Sequence, residues 1–224
     1  MTGTLYVVGT PIGNLKDITL RAIDTLKAVD LIACEDTRHT KKLLDHYQIH
    51  KPLVSLHDHN ERQRTPELVQ KLKDGQSIAL VCDGGTPLIS DPGWRLVHDV
   101  IEQRIAVTWI PGAVALIGGV LLSGLPMERF VFEGFLPAKA GARRKRLEAL
   151  EGESRTVVLY ESPHRLLKVL RDIRDVFGDI TVACARELTK IFEEVRRGSV
   201  SELIRHFEQR PPRGEFVVVF RIQR

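Results

Sequence analysis

The strongest constraint in this sequence is a set of nine short apolar runs separated by stretches of helical periodicity. They are LYVVG (5–9), LIAC (31–34), LVSLH (53–57), IALVC (78–82), AVTWI (106–110), FVFEGF (130–135), TVVLYE (156–161), ITVACA (180–185) and FVVVF (216–220). Most are continuous rather than alternating. A strand that is apolar on both sides needs cover on both faces, as in the sheets of α/β proteins. Between the runs, residues 19–29 place Leu20, Ile23, Leu26 and Val29 on one helical face. Thr19 is the expected N-cap, and Ile18 can staple against Ile23. Residues 93–104 and 163–177 carry a similar pattern, the second opened by Ser162 as N-cap and Pro163 at the first helical position. Ser199 and Glu202 form a capping-box pattern ahead of 200–209. Strands alternating with helices define the α/β class.

A chain of 224 residues is long enough for two cores. One strand ends at Pro111-Gly112, and an apolar helix of small residues follows until Gly124-Leu125-Pro126 breaks it. The expected division is therefore 1–112 and 113–224, with a ligand cleft between the two domains. No apolar run approaches the ~20 residues of a membrane span. The segment MTGTLYVVG lacks the basic start and long apolar core of a signal peptide. Cys34, Cys82 and Cys184 are odd in number and far apart, and each sits near the end of an apolar run. They read as reduced, buried thiols of a cytoplasmic protein. Without CxxC or HExxH, no metal site is expected. The net charge of +4 belongs to the second half, where "KAGARRKR" (139–146) concentrates cations of the kind that contact phosphates.

Four apolar runs end in unusual turns: VGTPIGN (8–14), CDGGTPLISDPG (82–93), IPGAVA (110–115) and YESPHR (160–165). A parallel sheet collects its strand C-termini along one edge, where ligands bind. Gly9, Gly13, Gly84, Gly85 and Gly112 are expected to leave backbone groups open to a small molecule. The first turn is Gly9-x-x-x-Gly13 rather than GxGxxG, and GxxxxGK[ST] is absent. A ligand without phosphates fits better, with Asp83 and Asp91 available to offset positive charge.

The segments TPIGNLKDITLRA, EDTRHTKKLL, SLHDHNE, CDGGTPLISDPG, GFLPAKAGARRKRL, YESPHRL and ARELTKIFEEVRRG follow one another here. In content and order they resemble the ribose 2'-O-methyltransferases of small-subunit ribosomal RNA, within the tetrapyrrole methylase superfamily. The resemblance covers nearly the whole chain. Where that family usually reads PGPSA, this chain has Pro111-Gly112-Ala113-Val114-Ala115, which removes a hydroxyl. The resemblance implies two α/β domains, S-adenosylmethionine bound between them, and a homodimer. It also implies a target cytidine in the decoding region of 16S ribosomal RNA in the small ribosomal subunit. It further implies a cofactor lining of Asp83, Gly84, Gly85, Thr86 and Ile89, closed by Pro11, Ile12 and Gly13. Val114, Ala115, Tyr160 and Ala185 complete that lining. Because the superfamily shares one scaffold, methylation of a tetrapyrrole precursor stays open as a second activity. An RNA-binding protein without catalysis is the third class.

Transfer to a ribose hydroxyl requires that its proton be removed or its pKa lowered. Lys190 is the first candidate, its pKa expected to be pushed down by cationic neighbours; Glu187, Glu161 and His164 follow. Arg165 and Arg186 read as phosphate or carboxylate binders. Arg143, Arg144, Lys145 and Arg146 are expected on RNA phosphates, while Arg38, His57, His59 and Asn60 contact RNA or order the cleft. His39, His46, His50 and His98 read as surface or helix residues, and Trp94 and Trp109 as core.

Overall fold

The computed structural model describes residues 2–222. Its chain clusters into two compact units, Met1–Val114 and Ala115–Arg224. The first unit holds strands β1 (Thr4–Val8), β2 (Leu31–Cys34), β3 (Leu53–Ser55), β4 (Ile78–Leu80) and β5 (Ala106–Ile110). They pair in the order β3-β2-β4-β1-β5, every pair parallel. Helices α1 (Leu20–Ala28), α2 (Thr37–His46), α3 (Glu61–Lys73) and α4 (Trp94–Glu102) cover it. The continuous apolar runs divide by alternation. Ile78 and Leu80 join a core with Leu68 and Leu72 of α3 and Leu96 and Val100 of α4. Ala79 and Val81 join one with Ala22 and Leu26 of α1 and Leu44 of α2. Thr19 caps α1 by accepting the Ala22 N–H, and Ile18 and Ile23 pack on the same cluster.

The second unit holds β6 (Phe130–Phe135), β7 (Thr156–Glu161), β8 (Thr181–Arg186), β9 (Glu194–Ser199) and β10 (Phe216–Phe220), in the order β6-β7-β10-β8-β9. Only β6 and β7 pair in parallel; β10 runs antiparallel to β7 and β8, and β9 to β8. The parallel-sheet argument therefore holds for the first unit alone. Even so, β7 and β8 run the same way on either side of β10, so Glu161 and Arg186 both stand opposite Phe216. Helix α5 (Ala115–Ser123) packs on β7, β8 and β10. Helices α6 (Ala140–Glu148), α7 (Leu166–Phe177) and α8 (Val200–Gln209) contribute Leu147, Val169 and Leu203 to the core beneath Val157, Val182 and Val218.

Three expectations change. Strand β9 is absent from the apolar runs, because its sequence EVRRGS is polar; it is an edge strand, where charge is tolerated and guards against further pairing. Helix α7 begins at Leu166 rather than Pro163, with the Ser162 carbonyl accepting from the N–H groups of Arg165 and Leu166 in the turn before it. Trp94 and Trp109, expected in the core, are 65% and 58% exposed. Trp109 lies on the edge strand β5, and Trp94 opens α4 with its ring 5.1 Å from that of His98.

Candidate functional site

At the C-terminal edge of the parallel sheet, the loops after β1, β4 and β5 are bonded to one another. The Thr10 N–H donates to the Gly85 carbonyl (2.8 Å) and the Gly85 N–H to the Thr10 carbonyl (3.1 Å). The Thr86 hydroxyl donates to the Ala113 carbonyl at 3.2 Å. Gly9 and Gly112 cross so closely that a Cβ on Gly9 would stand 2.7 Å from the Gly112 Cα. Gly85 has φ +97°, and a Cβ there would press on Ile12. This corrects the sequence reading. Gly9, Gly85 and Gly112 are required by packing between loops, and the backbone polar groups of Gly85 are already paired. Gly13 and Gly84 stay exposed, with Asp83, Thr86, Ile12, Ile89 and Val114 half-buried around them and Pro11 buried.

The charge at this edge is negative. An Asp83 carboxylate oxygen accepts the Asp36 N–H at 3.0 Å, tying the loop after β2 to the loop after β4. Burial raises the pKa of Glu35, and the charges of Asp83, Asp91, Asp58 and Asp36 add to the effect. Burial likewise raises Asp91 with help from Asp83 and Asp58, against a hydrogen bond from Cys82. Glu35 was missed in the sequence, although a carboxylate directly after the run LIAC is the signal that marks it. Residues 9–14, 81–93 and 111–114 contain no lysine or arginine. A phosphate would find no counter-charge there, whereas a cationic ligand relieves carboxylate repulsion. The donor set therefore fits S-adenosylmethionine, a nucleoside without phosphates that carries a sulfonium. Among the described residues, no group of three His, Cys, Asp or Glu is placed to hold a metal.

The flanking candidates are more committed than expected. The Asn60 carboxamide accepts the His57 N–H (2.9 Å) and donates to Ser55, so it builds the turn after β3. His57 keeps a buried Nδ1 without a partner, 6.0 Å ring to ring from exposed His59. Arg38 is exposed and forked onto Asp36, whose pKa it lowers.

In the second unit, β8 leads into a strained turn with Glu187 at φ 49° and Thr189 at φ 68°. One carboxylate oxygen of Glu187 accepts from Lys190 Nζ (2.9 Å) and from the Glu215 N–H (3.1 Å). Lys190 also reaches the Glu215 carboxylate at 2.8 Å. A Cβ on Gly214 would stand 2.3 Å from the Glu187 carboxylate, so glycine there makes room for it. Gly214 and Glu215 were missed by sequence reading. Burial lowers the pKa of Lys190, but hydrogen bonds to Glu215 and Glu187 outweigh it and leave the ammonium strengthened. The expected depression of Lys190 is thus corrected. Arg186, meant as its cationic neighbour, is itself bound to Glu194 (2.7 Å).

Glu161 is buried, with one carboxylate oxygen accepting the Ser162 N–H and the other 3.3 Å from Arg165. Burial raises its pKa despite that N–H and the charges of Arg165 and Arg143. Arg165 also donates to the Leu136 carbonyl, and His164 is exposed. The Tyr160 hydroxyl accepts the Leu116 N–H at the start of α5, next to Ala115. Ala185 has no exposed surface, so it offers a ligand nothing to touch, contrary to expectation.

The basic segment is corrected as well. Arg143 is 4% exposed, its Nε 2.6 Å from Asp172. Arg144 bridges Asp172 and Asp175, and Arg146 forks onto Glu133. Only Lys145 of the four makes no ion pair among the described residues.

Comparison with known proteins gives a consistent picture. Residues 4–204 match the family model "Tetrapyrrole (Corrin/Porphyrin) Methylases". A "Ribosomal RNA small subunit methyltransferase I" from Synechocystis sp. is 54% identical over 97% of this chain and 78% of its own length. The protein of that name from Thermotoga maritima is 50% identical over 97% of both chains. The one from Escherichia coli O157:H7 is 52% identical over 97% of this chain and 77% of its own. Among solved structures, a diphthine synthase aligns with TM-score 0.78 at 15% identity, covering 98% of this chain and 90% of that one. Uroporphyrin-III-C-methyltransferase from Thermus thermophilus aligns at 0.66 and 21%, covering 98% and 95%. At such identities these two speak for the fold.

Proposed function

The chain belongs to the tetrapyrrole (corrin/porphyrin) methylase family, and from that membership we propose that it methylates the 2'-hydroxyl of a cytidine in the decoding region of 16S ribosomal RNA, using S-adenosylmethionine. The observation that carries the reading is identity of half or more, over nearly the whole chain, to ribosomal RNA small subunit methyltransferases I. The substrate is the small ribosomal subunit, met in the cytoplasm, and the enzyme works as a homodimer. No helix of the described residues is long and apolar enough to cross a membrane.

The cofactor is assigned to the acidic edge of the parallel sheet. Asp83 and Glu35 face its positive charge, exposed Gly84 and Gly13 present backbone, and Thr86, Ile12, Ile89 and Val114 shape the walls. When bound, S-adenosylmethionine supplies a methyl group already activated on sulfur. What the chain must add is orientation, worth ~7–11 kcal/mol in well-aligned cases, and help for a poorly nucleophilic hydroxyl. Lys190 is assigned to that help as an ammonium rather than a neutral base. The two carboxylates that hold it keep it protonated. A fixed cation stabilises the oxyanion developing on the ribose oxygen.

One incubation decides among the three classes of function. Labelled S-adenosylmethionine is supplied with small ribosomal subunits or with tetrapyrrole precursors. Label is expected at a cytidine ribose of 16S RNA. Label in the tetrapyrrole, or none in either, would remove the reading.

A further inference from the structure

Edge strand β9 and helix α8 enclose an open concavity of about 440 Å³, lined by Arg196, Arg197, Arg205, His206, Gln209 and Glu202. Its acidic groups are already committed. Glu202 closes the capping box, accepting the Ser199 N–H at 2.8 Å. Glu194, at the rim, is shared between Arg186 (2.7 Å) and Arg196. Arg197 is oriented by the Leu122 carbonyl, which accepts from its Nε at 2.8 Å. Arg205 makes no ion pair among the described residues and is exposed. His206 reports the local field: burial lowers its pKa, and Arg196, Arg210 and Arg186 lower it further against Glu194. The cations at this place outnumber the carboxylates that could neutralise them.

We propose that this groove holds phosphates of the RNA strand that flanks the methylated nucleotide. The proposal rests on the reading of the protein as an RNA methyltransferase. Its cations are arginines, whose planar forks match phosphate oxygens in pairs. The exposed lining offers no aromatic or aliphatic anchor, since Leu203 is buried, and a protein partner would need one. The groove adjoins the proposed reaction site. Glu194 joins Arg196 in the groove to Arg186, which leads into the turn carrying Lys190. In the segment 139–146 three of four cations are held by Asp172, Asp175 and Glu133, whereas in the groove Arg197 and Arg205 make no ion pair among the described residues and Arg196 shares one carboxylate with Arg186.

The test is the double variant Arg196→Gln/Arg205→Gln, with Arg205→Lys alone and exposed, ion-paired Arg155→Gln as companions. Binding to small ribosomal subunits and to a protein-free 16S RNA fragment is measured across salt concentrations. For the double variant, affinity should fall ~10-fold or more, and the slope of log K against log salt should flatten by roughly 0.7–0.9 for each phosphate that is no longer neutralised. Melting temperature, cofactor affinity and the rate at saturating subunits should hold. Arg205→Lys should keep most of the slope, and Arg155→Gln all of it. An unchanged slope and affinity in the double variant overturns the proposal. Weaker binding to intact subunits with unchanged binding to the RNA fragment also overturns it, in favour of an acidic protein partner. Failure of the wild-type protein to label 16S RNA would sink the enzyme reading separately, because RNA binding is scored without methylation.

Discussion

Lys190 shows how one side chain can be found for one reason and kept for another. Its place after an apolar strand marked it as a candidate base. Its partners Glu187 and Glu215 instead make it a permanent cation. The two roles separate by experiment. Lys190→Met should lower the single-turnover rate ~10²-fold or more, the scale of losing an oxyanion partner, with cofactor affinity unchanged. Lys190→Arg keeps the charge and should recover a large part of the rate. The sign of the pH dependence agrees. With its pKa raised above the ordinary value of ~10.4, the ammonium and its ion pairs persist below that pH and are lost only as pH rises through the folded value. Between pH 7 and 9 the rate should therefore show no titration that disappears in Lys190→Arg. Full activity in Lys190→Met would end both roles, and absence of rescue by arginine would restore the base.

At the scale of elements, the legible features were those written into consecutive residues. The strands of the first sheet, the α1 cap and the α8 capping box all follow from local pattern. Strand β9 did not, because a polar edge strand with one apolar residue, EVRRGS, looks like a loop. Nor did the contact of Glu187 with Gly214 and Glu215, which depends on β10 lying beside β8. The glycine turns marked the edge to which the cofactor is assigned, but their spacing could not tell exposed glycines from glycines packed against each other. Helix α6 gives the sharpest case. Four successive cations read as a solvated, phosphate-seeking face, yet Arg143 points inward to a carboxylate 29 residues away. Arg143→Ala should destabilise the protein by ~1–3 kcal/mol, because it leaves one oxygen of buried Asp172 unpaired and only half-exposed Arg144 on the other. Arg171→Gln on α7, whose ion pair with Glu208 is half-exposed on both sides, should cost about 1 kcal/mol or less. Urea unfolding of the two variants measures the contrast, and equal midpoints would mean that Arg144 alone satisfies Asp172.

For the whole molecule, the misplaced tryptophans become informative. Trp109 on β5 and Trp94 and Ile101 on α4 are large, apolar and exposed, and β5 and α4 pack together. Scattered exposed apolar residues are ordinary, but large aromatics gathered on one edge mark interaction surfaces. For the homodimer proposed above, this is the contact to test. Trp94→Glu/Trp109→Glu should sediment as a monomer while keeping a native melting profile; a variant that stays dimeric moves the interface elsewhere. The order of strands carries a different consequence, one about time. In the first sheet β4 at residues 78–80 joins β1 to β2 and β3, all three made before it, while α4 and β5 are still to come. In the second, β10 at residues 216–220 is the strand that joins β7 to β8. During synthesis those two strands wait, each with an open edge, for a segment made some thirty residues after β8. Until Phe216–Phe220 has left the ribosome, the second sheet is two fragments, and Glu161 and Arg186 have no common frame.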